Sequence, residues 1–71
     1  MRQSYHIEVE CANCAAKMER AVARLEGVEE VSINYLLQKL VIEYSAGADP
    51  AAVLAEVRRV CRGIEPDCEI S

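Results

Sequence analysis

The chain has 71 residues, of which 52% are hydrophobic and 28% charged, and its net charge is −4. These values fit one globular domain, residues 1–71, or a fragment of a longer protein, and they argue against disorder and against nucleic-acid binding, which depends on clustered Lys and Arg. No apolar run is long enough to cross a bilayer and no secretory leader is visible, so we expect a cytosolic domain that makes no membrane contact itself.

The first predicted elements are a strand and a helix. Apolar and polar residues alternate over residues 3–9, which predicts a strand with one apolar face. The stretch CAAKMERAVARLEG then changes to helical spacing, because its apolar residues from Ala15 to Leu25 recur every three or four positions. Gly27 is expected to end this helix.

A hairpin and a second helix follow. VEEVSINY and KLVIEY both alternate as strands do, and the short turn LLQ between them indicates antiparallel pairing. Asp49 is a good N-cap and Pro50 suits the first helical position, so a helix should begin there and run to about Arg62. Gly63 is expected to end it, and EPDCEI predicts a short final strand.

This order of elements predicts an α+β fold. The order β-α-β-β-α-β is that of the ferredoxin-like sandwich, in which a four-stranded antiparallel sheet carries two helices on one face. RNA-binding modules share the order but need aromatic residues on the open sheet face and basic flanks. This acidic chain has no Phe or Trp, and Tyr5, Tyr35 and Tyr44 are expected to pack at the sheet edge, so RNA binding is not expected.

A pair of cysteines lies where the first strand gives way to the first helix. Cys11 follows the strand and Cys14 falls in the first helical turn, so both sulfurs can turn toward one point. The positive end of the helix favours thiolates, which select soft ions such as Cu(I), Zn(II) and Cd(II). Two sulfurs suffice for Cu(I), whereas Zn(II) usually takes four ligands, and Glu10 is the nearest candidate for a third.

These residues carry a family resemblance. The segment VECANCAAKMERAVARLEGVEEVSINYLLQKLVIEY resembles a heavy-metal-associated domain, a family that includes small copper chaperones and N-terminal domains of metal-exporting P-type ATPases. The resemblance implies the same βαββαβ fold. It also implies that Cys11 and Cys14 are the metal-binding cysteines.

The chain departs from the motif Gly-Met-x-Cys-x-x-Cys of that family. Glu8 and Val9 stand in place of Gly and Met, and Glu10 resembles the acidic residue before the first cysteine in zinc, cadmium and lead exporters. Pro66 stands where copper domains often have Tyr. The resemblance therefore implies a preference for Zn(II), Cd(II) or Pb(II), with Cu(I) as the other option.

The function implied is the binding of a soft metal ion by Cys11, Cys14 and Glu10. The chain would be the cytosolic N-terminal domain of a Zn/Cd/Pb-exporting P-type ATPase in the cell membrane, and would acquire metal or regulate transport without being an enzyme itself. Its partners would be the metal ion and either other domains of the transporter or a metallochaperone, and we expect a monomer. A free-standing copper metallochaperone and a small thiol redox protein are the alternatives.

The two remaining cysteines have another expected role. Cys61 and Cys68 fall on apolar faces and are expected in the core, although the topology also permits one of them to be an extra ligand. Because the cysteine count is even, a disulfide framework is an alternative, but the missing secretory signal argues against it.

Several other residues carry simpler expectations. Asn13 is expected to cap the first helix, because its side chain suits that role. His6 and Glu65 are expected on the surface, and Leu36 and Leu37 are expected to be exposed in the hairpin turn.

Overall fold

The computed structural model describes residues 1–71 and contains the predicted order of strands and helices. The elements are β1 (Arg2–Glu8), α1 (Ala12–Ala23), β2 (Val28–Asn34), β3 (Lys39–Tyr44), α2 (Pro50–Ile64) and β4 (Glu69–Ile70). The strands form one antiparallel sheet in the order β2-β3-β1-β4. The prediction of a ferredoxin-like α+β sandwich is therefore confirmed.

Three connections meet at one end of this sheet. Glu8, the last residue of β1, pairs with Glu69 of β4. On the other side of β1, His6 pairs with Lys39 at the start of β3. Since both pairings are antiparallel, three segments converge there: the cysteine loop (residues 9–11), the hairpin turn (residues 35–38) and the α2–β4 loop (residues 65–68).

The core lies between the sheet and the two helices. Thirteen residues are buried, and every one of them is apolar, tyrosine or cysteine. They are Ile7, Val9, Ala15, Met18, Val22, Leu40, Ile42, Tyr44, Val53, Val57, Cys61, Cys68 and Ile70. No buried side-chain nitrogen or oxygen lacks a hydrogen-bond partner, and packing of this apolar cluster is what holds the helices on the sheet.

The first helix ends earlier than the glycine signal indicated. α1 stops at Ala23, and Gly27 lies in the turn beyond it with φ of +94°. A Cβ atom at this position would come within 2.8 Å of the Val53 side chain in α2. Gly27 therefore allows both a left-handed turn and close contact with the second helix, rather than ending the first.

The second helix begins as predicted but ends later. The Asp49 side chain accepts a hydrogen bond from the Ala51 N–H at 3.1 Å, and Pro50 is the first helical residue. The helix continues through Gly63 to Ile64, so the expected end at Gly63 is wrong. Glu65 is extended because the following Pro66 disfavours a helical conformation at the residue before it.

The three tyrosines differ in position. Tyr44 is buried, and its hydroxyl lies 2.8 Å from that of Tyr5, which is partly buried. Tyr35 instead lies in the hairpin turn and is exposed, so its prediction as a core residue is wrong. β2 ends one residue before it, and the turn directs its side chain toward the cysteine loop.

The surface expectations hold for three residues. His6 is exposed, and Leu36 and Leu37 are 89% and 70% exposed in the hairpin turn. Neither helix combines the length and the apolar character that crossing a bilayer requires.

Candidate metal centre

Cys11 itself caps the first helix. It is extended, with φ of −126° and ψ of 123°, and its Sγ accepts a hydrogen bond from the Cys14 N–H at 3.4 Å. Its carbonyl accepts from the Ala15 N–H at 2.9 Å. The predicted cap, Asn13, is wrong because the helix begins at Ala12, which places Asn13 inside the first turn.

The two thiols differ in acidity because a hydrogen bond joins them. The Cys14 N–H and the Cys14 thiol both donate to the Cys11 sulfur, which lowers the pKa of Cys11. Donating that proton raises the pKa of Cys14. Cys11 is therefore the first thiolate of the pair. Both side chains are only partly buried, and such a pair can be reached by a soft metal ion or by a second thiolate.

Glu10 contributes its backbone to the site geometry. Its N–H donates to Oε2 of Glu65 at 3.3 Å, and its carbonyl accepts from the Tyr35 hydroxyl at 3.1 Å. Its side chain is exposed. No three Cys, His, Asp or Glu side chains lie close enough together to hold an ion. The role of the Glu10 carboxylate as a metal ligand stays a prediction.

Glu65 is a site residue that the sequence reasoning took for a surface charge. Hydrogen bonds between the cysteines dominate their acidity, but the Glu65 carboxylate acts on both and favours a raised pKa for each thiol. It is therefore close enough to influence a charge bound between Cys11 and Cys14. The predicted topology was the available signal, because it brings the end of α2 to the cysteine loop.

Gln38 also reaches the cysteine loop. Its side-chain Oε1 accepts from the Val9 N–H at 3.0 Å, and its Nε2 donates to the Val9 carbonyl at 2.8 Å. The same Nε2 donates to the Tyr35 carbonyl at 2.8 Å. The hairpin turn is thereby attached to the segment that precedes Cys11.

The sequence profile of the heavy-metal-associated domain matches residues 4–63, a range that includes both cysteines and most of the core. The chain belongs to the heavy-metal-associated domain family. The resemblance noted in the sequence is therefore confirmed, and with it the general function of heavy-metal binding.

Similar proteins include parts of transport ATPases. This heavy-metal-associated domain is 32% identical over 62 residues to "Probable copper-transporting ATPase PacS" of Synechocystis, a match that covers 83% of the chain and 8% of that protein. It is 35% identical over 57 residues to "Copper-transporting ATPase 1" of Rhizobium meliloti, covering 79% of the chain and 7% of that protein. The chain thus spans less than a tenth of either relative.

A solved structure agrees with the fold. The N-terminal domain of PacS from Synechocystis superimposes with a TM-score of 0.72 at 25% identity, covering 100% of this chain and 94% of that one. The match extends over the cysteine loop and the sheet together, so the heavy-metal-associated domain has the same arrangement of elements in both proteins.

Cys61 and Cys68 lie in the core of the heavy-metal-associated domain, as expected. Both are free thiols. Burial, followed by the neighbouring Cys68, raises the pKa of Cys61 to about 12, and burial also raises the pKa of Cys68. Both groups therefore stay protonated and apolar at neutral pH, which suits packing rather than metal binding.

Proposed function

We propose that residues 1–71 form one N-terminal heavy-metal-associated domain of a copper-transporting P-type ATPase, and that its cargo is Cu(I) held by Cys11 and Cys14. The observation that carries this proposal is the hydrogen bond from the Cys14 N–H to the Cys11 sulfur at the start of α1. It fixes the Cys11 sulfur beside the backbone of Cys14 and is the largest cause of the lowered pKa of Cys11. The copper-transporting relatives, which match over most of the chain, support the choice of ion.

The chemistry of the pair fits Cu(I). A soft monovalent ion prefers thiolate ligands, and two of them are enough. Binding would release the protons that Cys11 and Cys14 still carry, the Cys14 proton being the harder to remove, so that both sulfurs bind the ion as thiolates. Because the pair is partly exposed, a thiolate from a partner could bind the ion before Cys11 or Cys14 dissociates from it.

Exchange of this kind gives the domain its partners. The donor or acceptor would be a metallochaperone or another domain of the same transporter, on the cytosolic side of the membrane. The domain itself would bind and release without catalysing a reaction, as a monomer. A free-standing copper metallochaperone would use the same two sulfurs in the same way.

The expected preference for Zn(II), Cd(II) or Pb(II) becomes the second candidate. The relatives named here favour copper, against the inference from Glu10 and Pro66. The negative charge near the thiols still favours a divalent ion. The Glu65 carboxylate interacts electrostatically with both thiols, and Glu10 precedes Cys11 in the chain. An added negative ligand suits a divalent ion better, since two thiolates neutralise a divalent ion but already leave a negative charge on a monovalent one.

Titration of the reduced protein with Cu(I), Zn(II), Cd(II) and Pb(II), followed by amide NMR, tests the proposal. Stoichiometric Cu(I) binding that shifts the amides of Cys11 and Cys14 is the expected result, with the other ions weaker. The variant Glu10→Ala should weaken Zn(II) more than Cu(I) if the carboxylate selects divalent ions. Tighter Zn(II) than Cu(I) binding would favour the second candidate, and Cu(I) that perturbs other residues instead would overturn both.

A further inference from the structure

We propose that Gln38 is a positioning residue for the metal site, acting through Val9 to hold the chain that leads into Cys11. The inference rests on the proposed function, since it assumes that Cys11 and Cys14 bind the cargo ion. No functional role for Gln38 follows from the cysteine motif, and the residue lies 29 positions from Val9 in the chain. Its side chain continues the pairing of the sheet beyond the end of β3.

The main-chain pairing of β1 with β3 runs out just before the cysteine loop. The last backbone contact on this edge is from the Ile7 N–H to the Gln38 carbonyl, at 3.1 Å. Beyond it the chain turns away through Leu37, so no peptide group of β3 is available opposite Val9. The Gln38 side-chain amide takes that place, with its oxygen 3.0 Å from the Val9 nitrogen and its nitrogen 2.8 Å from the Val9 oxygen. It pairs with Val9 as a neighbouring peptide group would.

The backbone of Gln38 is in an uncommon conformation. Its φ is +52°, and it is the one residue other than glycine with a positive value. This region disfavours residues that have a Cβ, and turns that need it usually have Gly, Asn or Asp. Gly lacks an amide, and the Asn amide is one methylene shorter, so neither supplies the contact made by Gln38. The position thus combines an unfavourable backbone with a side chain that bonds to the loop.

Two other side chains form hydrogen bonds to the backbone of the cysteine loop. The Glu10 N–H is bonded to the Glu65 carboxylate and the Glu10 carbonyl to the Tyr35 hydroxyl. With the two bonds from Gln38 to Val9, all four backbone polar groups of the residues before Cys11 are bonded to side chains. Gln38 makes the two shortest of these bonds, so it contributes most to fixing the direction in which Cys11 leaves the sheet.

The expected consequence concerns the population of the binding geometry. Without the Gln38 amide, Val9 loses both partners, and the Cys11 sulfur samples positions that do not converge with Cys14. Loss of a group that orients a metal ligand typically reduces metal affinity by about 10–100-fold. Gln38 acts one step further from the ion, so a loss of about tenfold is expected.

The test uses Gln38→Gly, which removes the amide and at the same time relieves the positive φ. Leu37→Ala is the matched control, because it truncates a 70% exposed side chain in the same turn and leaves the amide in place. The measurements are Cu(I) affinity by competition with a chromogenic chelator, thermal unfolding, and hydrogen exchange of the Val9 amide in the metal-free protein. For Gln38→Gly we expect about tenfold weaker Cu(I) binding, faster Val9 exchange and little change in the unfolding temperature. The control should match the wild type in all three.

The outcomes separate this inference from the function on which it rests. If the wild type does not bind Cu(I), the proposed function fails. Hydrogen exchange of the Val9 amide in the metal-free variant still tests whether the Gln38 side chain holds Val9. If the wild type binds and Gln38→Gly binds equally well, the positioning role is wrong. A drop in unfolding temperature that fully accounts for the weaker binding would also overturn it. Should Gln38→Gly fail to fold, Gln38→Met keeps the side-chain length without the amide and is expected to give the same loss of affinity.

Discussion

The two cysteine pairs of this domain contain the same functional group in opposite surroundings. Cys11 and Cys14 lie at the start of a helix, partly exposed, and a hydrogen bond from the Cys14 N–H lowers the pKa of Cys11. Cys61 and Cys68 are 0% and 2% exposed, and burial raises the pKa of both thiols. In the first pair Cys11 is favoured as a thiolate while Cys14 donates its proton to it, whereas both thiols of the second pair remain protonated and apolar. The comparison shows that backbone position and burial, rather than residue type, set how readily each sulfur ionises.

The largest expected effect comes from removing either sulfur of the exposed pair. Cys11→Ser and Cys14→Ser should each abolish stoichiometric Cu(I) binding, because one thiolate cannot hold the ion against competing thiols. Serine is a good N-cap, so Cys11→Ser should keep α1 and the circular dichroism spectrum of the wild type. Retained tight binding by either variant in a chelator competition would remove the basis for assigning the site.

The next effect is a difference in thiol reactivity within the wild-type protein. At neutral pH we expect iodoacetamide to modify Cys11 much faster than Cys61, since the thiolate fraction falls as the pKa of a thiol rises. The pKa of Cys61 is raised to about 12 and that of Cys11 is lowered from 9.0. Mass spectrometry of peptides from timed reactions measures both rates. Comparable rates in the folded protein would contradict the contrast drawn between the pairs.

Substitution in the buried pair should have the reverse pattern. Cys61→Ala is expected to lower the free energy of unfolding by about 1–2 kcal/mol, through lost packing, and to change Cu(I) affinity less than twofold. Because the folded pKa of Cys61 lies above its ordinary 9.0, its contribution to stability is complete below pH 9.0 and is lost as pH rises toward 12. Urea unfolding at several pH values should therefore show a smaller alkaline loss for Cys61→Ala than for the wild type. A large loss of Cu(I) affinity would instead make Cys61 part of the site.

The smallest effect concerns the carboxylate beside the exposed pair. Glu65→Gln removes a negative charge that favours raised pKa values for both thiols, so their thiolate fractions at neutral pH should increase. Because the groups are accessible to solvent, the expected rise in the Cys11 alkylation rate is about threefold. Asp67→Asn, in the same α2–β4 loop, is the control and should leave the rate unchanged. An unchanged rate in Glu65→Gln would mean that this charge is screened from the thiols.

Much of the architecture could be predicted from local patterns. Alternation and helical spacing gave the six elements in order. The spacing of Cys11 and Cys14 at a strand–helix junction favours a soft-metal site, and that assignment stays a prediction. Burial of Cys61 and Cys68 followed from the apolar faces on which they fall. These features depend on neighbours a few positions away, which a single sequence displays directly.

Features that depend on distant contacts were missed. Gln38 bonds to Val9 across 29 positions, and Glu65 bonds to Glu10 across 55, so neither contact has a local pattern. The cap of α1 was assigned to Asn13 because amides are common caps, whereas the helix begins one residue after a cysteine that caps it with sulfur. The predicted preference for divalent ions rested on two residues, Glu10 and Pro66. Their identity in the sequence does not show which side chains lie next to the thiols.

The hydrogen bond from the Cys14 N–H to the Cys11 sulfur has a consequence for the proposed release of a metal ion. In the metal-free protein the Cys11 sulfur already has a hydrogen-bond donor, the Cys14 amide, at 3.4 Å. Under the proposed function, the sulfur that releases an ion would therefore find this donor in place at the start of the helix. Binding and release would then require little rearrangement of the backbone, as the proposed exchange of an ion between partners needs.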